Sequence, residues 1–183
     1  MNQTVNYSQK LNAGSLFPNI QAKTLAGNTV NLAKPENDCD WKLVVVYRGQ
    51  HCPMCTKYLN KLESFIKPLK EIGVDVIAVS ADSQSQLQSY LDESLEISYP
   101  IAYGLTIEHM KQLGLYLSDP RSEKETDHVF AEPGLFVINQ EGKIQVVDIS
   151  NNPFVRPDIE TLVNGLTWIR KPENNYPIRG MHQ

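Results

Sequence analysis

The chain is short of cysteine, of long apolar runs and of any excess of one charge. Three cysteines in 183 residues are too few for a disulfide framework. No segment approaches the run of about 20 apolar residues needed to cross a bilayer, and Met1 to Lys10 holds no apolar core of signal-peptide length. Cytoplasm is therefore the expected location, with no membrane partner. Seventeen Lys and Arg are scattered among 21 Asp and Glu, so no basic stripe advertises a nucleic acid. Repeats, low-complexity tracts and Pro/Gly/Ser linkers are also missing. With 41% apolar residues, the chain suits one domain over residues 1–183, with a core from about 15 to 170 and irregular tails at 1–14 and 171–183.

What is present begins at Leu43 to Tyr47, a continuous β-branched run of the kind buried on both faces of a central strand. It leads into Cys52-Pro53-Met54-Cys55. Pro53 fits the first turn of a helix, where its missing N–H costs nothing. Cys55, Tyr58, Leu59, Leu62, Phe65, Ile66 and Leu69 then recur at helical spacing. Pro68 is expected to kink or end this helix near Lys67, and Gly73 to terminate a last turn.

Upstream, residues 1–19 read as an irregular arm. Ile20–Thr24 and Thr29–Leu32, joined at Gly27-Asn28, suggest a short hairpin. Downstream, Val74–Ser80 reads as a second buried strand, and Asp82 or Ser83 can cap the helix that follows. Ile101–Tyr103 suggests a short strand, and Thr106–Leu113 a short helix ended by Gly114. Residues 118–129 form a charged loop. Leu135–Asn139 and Lys143–Ile149 form an antiparallel hairpin, and Asp158–Arg170 a closing helix.

A C-x-x-C pair at a strand-to-helix junction points to thiol redox exchange, because the helix N-terminus favours the reactive thiolate. Spacing of three residues puts both sulfurs on one helix face. Cys52, at or just before the first helical residue, is expected to be exposed, to have a lowered pKa and to act as nucleophile. Cys55, on the apolar stripe, is expected to resolve. His51 as an imidazolium would favour the thiolate, and Arg48, at the end of the buried strand, would hold the thiolate or polarise a peroxide. A zinc site lacks a second C-x-x-C or an H-x-x-x-H, so no metal or cofactor is expected. Cys39 reads as a spare thiol in a polar loop.

The order of elements across about residues 15–170 resembles the thioredoxin fold: an α/β domain with a central mixed sheet flanked by helices, here with an N-terminal hairpin extension. Three stretches make it similar to the peroxiredoxin-like branch, the alkyl hydroperoxide reductase and thiol-specific antioxidant family. They are Val45-Val46-Tyr47-Arg48-Gly49 before Cys52-Pro53-Met54-Cys55, then Val79-Ser80-Ala81-Asp82-Ser83 with Tyr99-Pro100, then Pro133-Gly134-Leu135-Phe136-Val137-Ile138-Asn139.

The resemblance implies a thiol-dependent oxidoreductase that reduces peroxides through a Cys52–Cys55 dithiol/disulfide cycle. Its reductant would be a thioredoxin system or glutathione, and a homodimer is among the states it allows. A protein thiol-disulfide oxidoreductase and a non-catalytic redox-sensing module are the alternatives. It further implies a cis-proline role for Pro133 and a supporting role for Arg156. Counted by the peroxiredoxin pattern, Cys55 takes the peroxide-attacking place and Cys52 the place of a threonine, which reverses the order of attack. The pattern's proline is Arg48 here, its arginine before Gly-Leu-Phe is Pro133, and thioredoxin's buried aspartate is Val46.

Overall fold

The computed structural model describes residues 9–182; the arm and the N-terminal segment read above fall outside it up to residue 8. The expected hairpin forms as β1 (Gln21–Lys23) and β2 (Thr29–Asn31), paired antiparallel. Gly27 at φ +82° closes its turn.

Five strands make the main sheet: β3 (Trp41–Val46), β4 (Val74–Val79), β5 (Ile101–Ala102), β8 (Gly134–Ile138) and β9 (Ile144–Ile149), in the order β5-β4-β3-β8-β9. All residues of β3 and β4 are buried: their apolar residues fit a strand covered on both faces, and the two charged ones, Lys42 and Asp75, pair with each other. These two strands run parallel, while β8 lies antiparallel to β3 and β9 antiparallel to β8. The sheet is thus mixed, as the resemblance implied.

Helices cover both faces. On one side α1 (Pro53–Glu63), α2 (Ile66–Glu71) and α5 (Ile159–Ile169), with Tyr90 of α3 (Gln84–Glu93), pack on Leu43, Val45, Val76 and Val137. On the other, α4 (Ile107–Gln112) and the N-terminal hairpin pack on Val44, Val46, Ile77 and Phe136. No helix among the described residues is long and apolar enough to cross a membrane.

Two local expectations change. Pro68 neither ends nor kinks the helix at Lys67; it sits in the first turn of α2, and the break falls at Ser64-Phe65. The ring of a helical proline clashes with the carbonyl four residues earlier, here that of Ser64, so the interruption lies upstream. The charged loop covers 119–129, one residue less than the expected 118–129, because the chain on either side of it pairs as β6 (Leu117–Ser118) with β7 (Phe130–Ala131). Of the two candidate caps for α3, Ser83 takes the role in a capping box with Gln86, which leaves the Asp82 side chain free to turn inward.

Register gathers the later argument at one sheet edge. Val46 pairs with Val79 on one side and with Gly134 on the other, and Gly134 pairs with Ile149. The chain leaving β3 at Tyr47, leaving β4 at Ser80 and entering β8 from Pro133 therefore converges there.

Candidate active site

After β3 the chain folds back tightly: the Cys52 N–H donates to the Gly49 carbonyl at 3.1 Å, and α1 starts at Pro53. Cys52 is the N-cap, its sulfur accepting from the Cys55 N–H at 3.2 Å. One orphan donor of the helix is thereby satisfied by sulfur. Cys52 and Cys55 form a disulfide, with Cα atoms 5.2 Å apart. Cys55 is the third helical residue, so both sulfurs lie in the first turn, where the helix dipole favours negative charge.

The expected exposure of Cys52 is overturned. Its relative exposure is 1% and that of Cys55 is 0%, and both belong to the core cluster that includes Tyr47, Leu59, Tyr90 and Leu135. The cause is the Gly49–Cys52 turn, which keeps the helix start against the buried end of β3. Thr56 steadies the same turn, its hydroxyl donating to the Cys52 carbonyl at 3.3 Å and lying 2.9 Å from the Tyr90 hydroxyl.

Arg156, in the loop before α5, reaches the pair. Its Nη2 donates to Cys55 Sγ at 2.8 Å, and its guanidinium lies over the Tyr58 ring, 4.9 Å from the centroid. Nε and Nη1 are buried without a hydrogen-bond partner. Burial lowers the guanidinium's pKa, yet arginine keeps its charge at neutral pH. Tyr58 donates its hydroxyl to the Pro157 carbonyl at 2.9 Å and is pushed up to about 12 by burial, so it stays a neutral phenol. An open groove lined by Met54, Tyr58, Pro153 and Phe154 leads to Arg156.

The other candidates are placed differently from their expected roles. Arg48 turns to acids: Nε is 3.2 Å from Glu132 Oε2 and Nη2 3.7 Å from Glu125 Oε1, with the guanidinium over the Phe130 ring. A strand-end arginine beside two carboxylates is drawn to them first. His51 is not an imidazolium at neutral pH. Burial, then the Arg48 charge, lowers it to about 4, and its ring packs on Phe130 at 4.6 Å.

Pro133 is not a cis-proline, because no cis peptide bond occurs among the described residues. Extended ladders flank the Glu132–Pro133 bond on both sides. The Glu132 N–H donates to the Tyr116 carbonyl at 2.8 Å, and the Pro133 carbonyl accepts from Ser150 N–H at 3.0 Å. A trans bond carries that direction through. Pro133 still lines the small pocket beside Tyr58 and Arg156.

Cys39 lies at the opposite end of the sheet, near Asp75, whose carboxylate binds the Glu36 N–H and pairs with Lys42. Burial and then the Asp75 charge raise its thiol pKa, which makes it less reactive.

Sequence reasoning missed Tyr58, Glu132, Asp82 and His128 near the site. Asp82 is fully buried, and its Oδ2 accepts from the Gln50 N–H at 2.9 Å. Its signal was present in Ser80-Ala81-Asp82, a polar turn directly after a fully buried strand.

Comparison with known proteins fits this architecture. Residues 13–147 match the AhpC/TSA family. Alkyl hydroperoxide reductase C of Bacillus subtilis is 27% identical over 138 residues, covering 75% of this chain and 71% of that protein. The protein of the same name from Ferdinandcohnia aciditolerans is 27% identical over 135 residues, covering 74% and 77%. Among solved structures, a cysteine mutant of the peroxiredoxin 6 of Arenicola marina superposes with a TM-score of 0.72 at 18% identity, covering 89% of this chain and 75% of that one. AhpC of Mycobacterium tuberculosis gives 0.70 at 15% identity, covering 92% and 100%. A five-stranded mixed sheet with a dithiol at the first turn of the helix after β3, together with a family match over most of its length, places the chain in the AhpC/TSA family, as a peroxiredoxin-like protein of the thioredoxin fold.

Proposed function

We propose that the chain is a thiol-dependent peroxidase working through a Cys52–Cys55 dithiol, and that Cys55 attacks first. The observation that carries the order of attack is the hydrogen bond from Arg156 Nη2 to Cys55 Sγ at 2.8 Å. A guanidinium and the helix N-terminus together favour the thiolate of Cys55, whereas Cys52 has the helix terminus without an arginine bonded to its sulfur. The two unpartnered donors of Arg156 are available to a peroxide oxygen.

In the first step the Cys55 thiolate attacks one peroxide oxygen and the O–O bond breaks. The departing alkoxide takes a proton to leave as an alcohol, or as water from hydrogen peroxide, and Cys55 becomes a sulfenic acid. Cys52 then attacks the Cys55 sulfur, water leaves, and the disulfide forms. A dithiol reductant of the thioredoxin type, or glutathione, restores both thiols by exchange while becoming oxidised itself. The relatives named alkyl hydroperoxide reductase C, and the groove with Met54 and Phe154 on its walls, favour an organic hydroperoxide as substrate.

The protein-disulfide alternative loses two supports. A disulfide exposed at 1% and 0% is not displayed on the surface for an extended substrate chain to dock against, and Pro133 is trans. The discriminating experiment compares steady-state consumption of cumene hydroperoxide, recycled by a thioredoxin system, with reduction of insulin disulfides. Peroxide turnover without insulin reduction is the expected result; the opposite pattern would overturn the proposal.

A further inference from the structure

The turn that presents the dithiol rests on a group that the peroxide chemistry above leaves unused. Asp82 enters from the end of β4, is 0% exposed and places Oδ2 on the Gln50 N–H at 2.9 Å. Gln50 is the second residue of the Gly49–Cys52 turn, so the carboxylate holds that turn at its centre. Contact is close on the other oxygen too. A Cβ on Gly49, whose φ is +148°, would lie 2.5 Å from Asp82 Oδ1 and 2.9 Å from His51 Nδ1.

Oδ1 of Asp82 is buried and accepts no hydrogen bond, although His128 Nε2 stands 3.5 Å away. Leaving a buried carboxylate oxygen unpaired is costly, so this arrangement calls for an explanation. His128 supplies one. Its Nδ1 lies 2.8 Å from Asp127 Oδ1 and 3.1 Å from Thr126 Oγ1, while its Nε2 faces Asp82. An imidazole carrying both protons stands between two carboxylates; carrying one, it can serve only one of them. His128 is also the partly exposed member and lines, with Lys23, Ser83 and Tyr103, the surface cleft over Asp82.

We propose that Asp82, set beneath His128, is the positioning residue of the dithiol turn: its carboxylate fixes the backbone before Cys52 through the Gln50 N–H, and gain of a proton by that carboxylate weakens the hold. The inference rests on the dithiol reading given above. Burial raises the Asp82 carboxyl above the ordinary carboxylate range, opposed by the Gln50 bond and His128. A protonated carboxyl is a weaker acceptor, so the turn loosens as Asp82 gains its proton. The groups facing Asp82 are Tyr47 just after β3, Tyr90 on α3, His51 in the turn, and Asp127 and His128 from the loop before β7. Both tyrosines are raised by burial and remain neutral.

The test uses the full chain, reduced, and follows iodoacetamide alkylation of Cys52 and Cys55 against pH by mass spectrometry, alongside disulfide formation after a pulse of cumene hydroperoxide. In the native protein the alkylation profile should contain a lower step in addition to thiol ionisation. Asp82→Asn keeps an oxygen for the Gln50 N–H but cannot titrate, and should lose the lower step while retaining the thiol step. His128→Gln should move the lower step upward, because the His128 ring 3.5 Å from Oδ1 lowers the Asp82 carboxyl and the amide does so less. Asp82→Ala removes the acceptor and should slow disulfide formation about tenfold at every pH, as misplacement of a reacting group does. If Asp82→Ala fails to fold, the Asn and Gln variants still decide. Profiles of both that superpose on the native one refute the proposal. Alkylation needs no peroxide, so absent peroxide turnover would count against the function proposed earlier and leave this result standing.

Discussion

Arg156 and Cys55 lie 101 residues apart in the chain, yet meet through a guanidinium-to-sulfur hydrogen bond of 2.8 Å. Charge-assisted bonds of this kind contribute about 1.5–3 kcal/mol. Arg156→Ala should therefore lower kcat/KM for cumene hydroperoxide about 10- to 100-fold and raise the apparent pKa of Cys55 alkylation. Arg156→Lys should recover part of the loss, since a point charge remains but the planar fork is gone. Full activity in the alanine variant would remove the main support for Cys55 attacking first.

The order of attack has a direct mass signature. Cys52→Ser should accumulate a sulfenic acid on Cys55 after one peroxide equivalent, captured by dimedone, and should stall without recycling. Cys55→Ser should consume no peroxide. Dimedone found on Cys52 in the latter variant would reverse the two roles. Cys39→Ser should keep native turnover, because its thiol is raised by burial and by Asp75 and sits at the far end of the sheet.

His51 gives the fold a pH dependence of its own. Burial and Arg48 hold it at about 4 against an ordinary 6.5. Because the folded value is depressed, the stability it contributes is present above 6.5 and is lost as pH falls from there toward 4, where the unfolded chain takes up a proton that the folded chain refuses. Urea midpoints at pH 7 and at pH 4.5 should fall further in the native protein than in His51→Gln. Equal falls would show that the ring is accommodated as a cation.

Position 49 should accept no side chain. With φ at +148° and Asp82 Oδ1 2.5 Å from where a Cβ would stand, alanine must move either the turn or the carboxylate. We expect Gly49→Ala to cost about 1–3 kcal/mol in denaturant unfolding. Disulfide formation after peroxide should slow in parallel. Unchanged values for both would mean that the turn is freer than its geometry shows.

The strand-turn-helix carrying the dithiol was legible because its signals are local: an unbroken β-branched run, a proline suited to a helix start, and cysteines three apart. What escaped depends on register between distant strands. Cys52 looked exposed because an N-cap normally is, and only the packing of Tyr47 and Leu135 around it shows otherwise. Asp82 looked like a helix cap because the residue type fits; with Ser83 taking that role, the aspartate's burial is a tertiary fact. Proximity in the chain points Arg48 at the nearest thiol, while its partners in the fold, Glu125 and Glu132, lie more than seventy residues further along. The cis assignment of Pro133 came from resemblance alone, and the ladders flanking the bond decide against it.

The depth of the disulfide also bears on how the molecule is recharged. The groove brings a small peroxide as far as Arg156, whose guanidinium is bonded to Cys55 Sγ, but another protein's thiolate must come within bonding distance of an atom that is 0–1% exposed. For a protein reductant the first turn of α1 would have to fray before reduction, and fraying is a local unfolding equilibrium with its own free energy. Oxidation and recovery then have different gates: the first limited by encounter with peroxide, the second by how often the helix opens. At high reductant the recovery rate should level off at that opening rate, which makes the stability of one helical turn the governor of turnover.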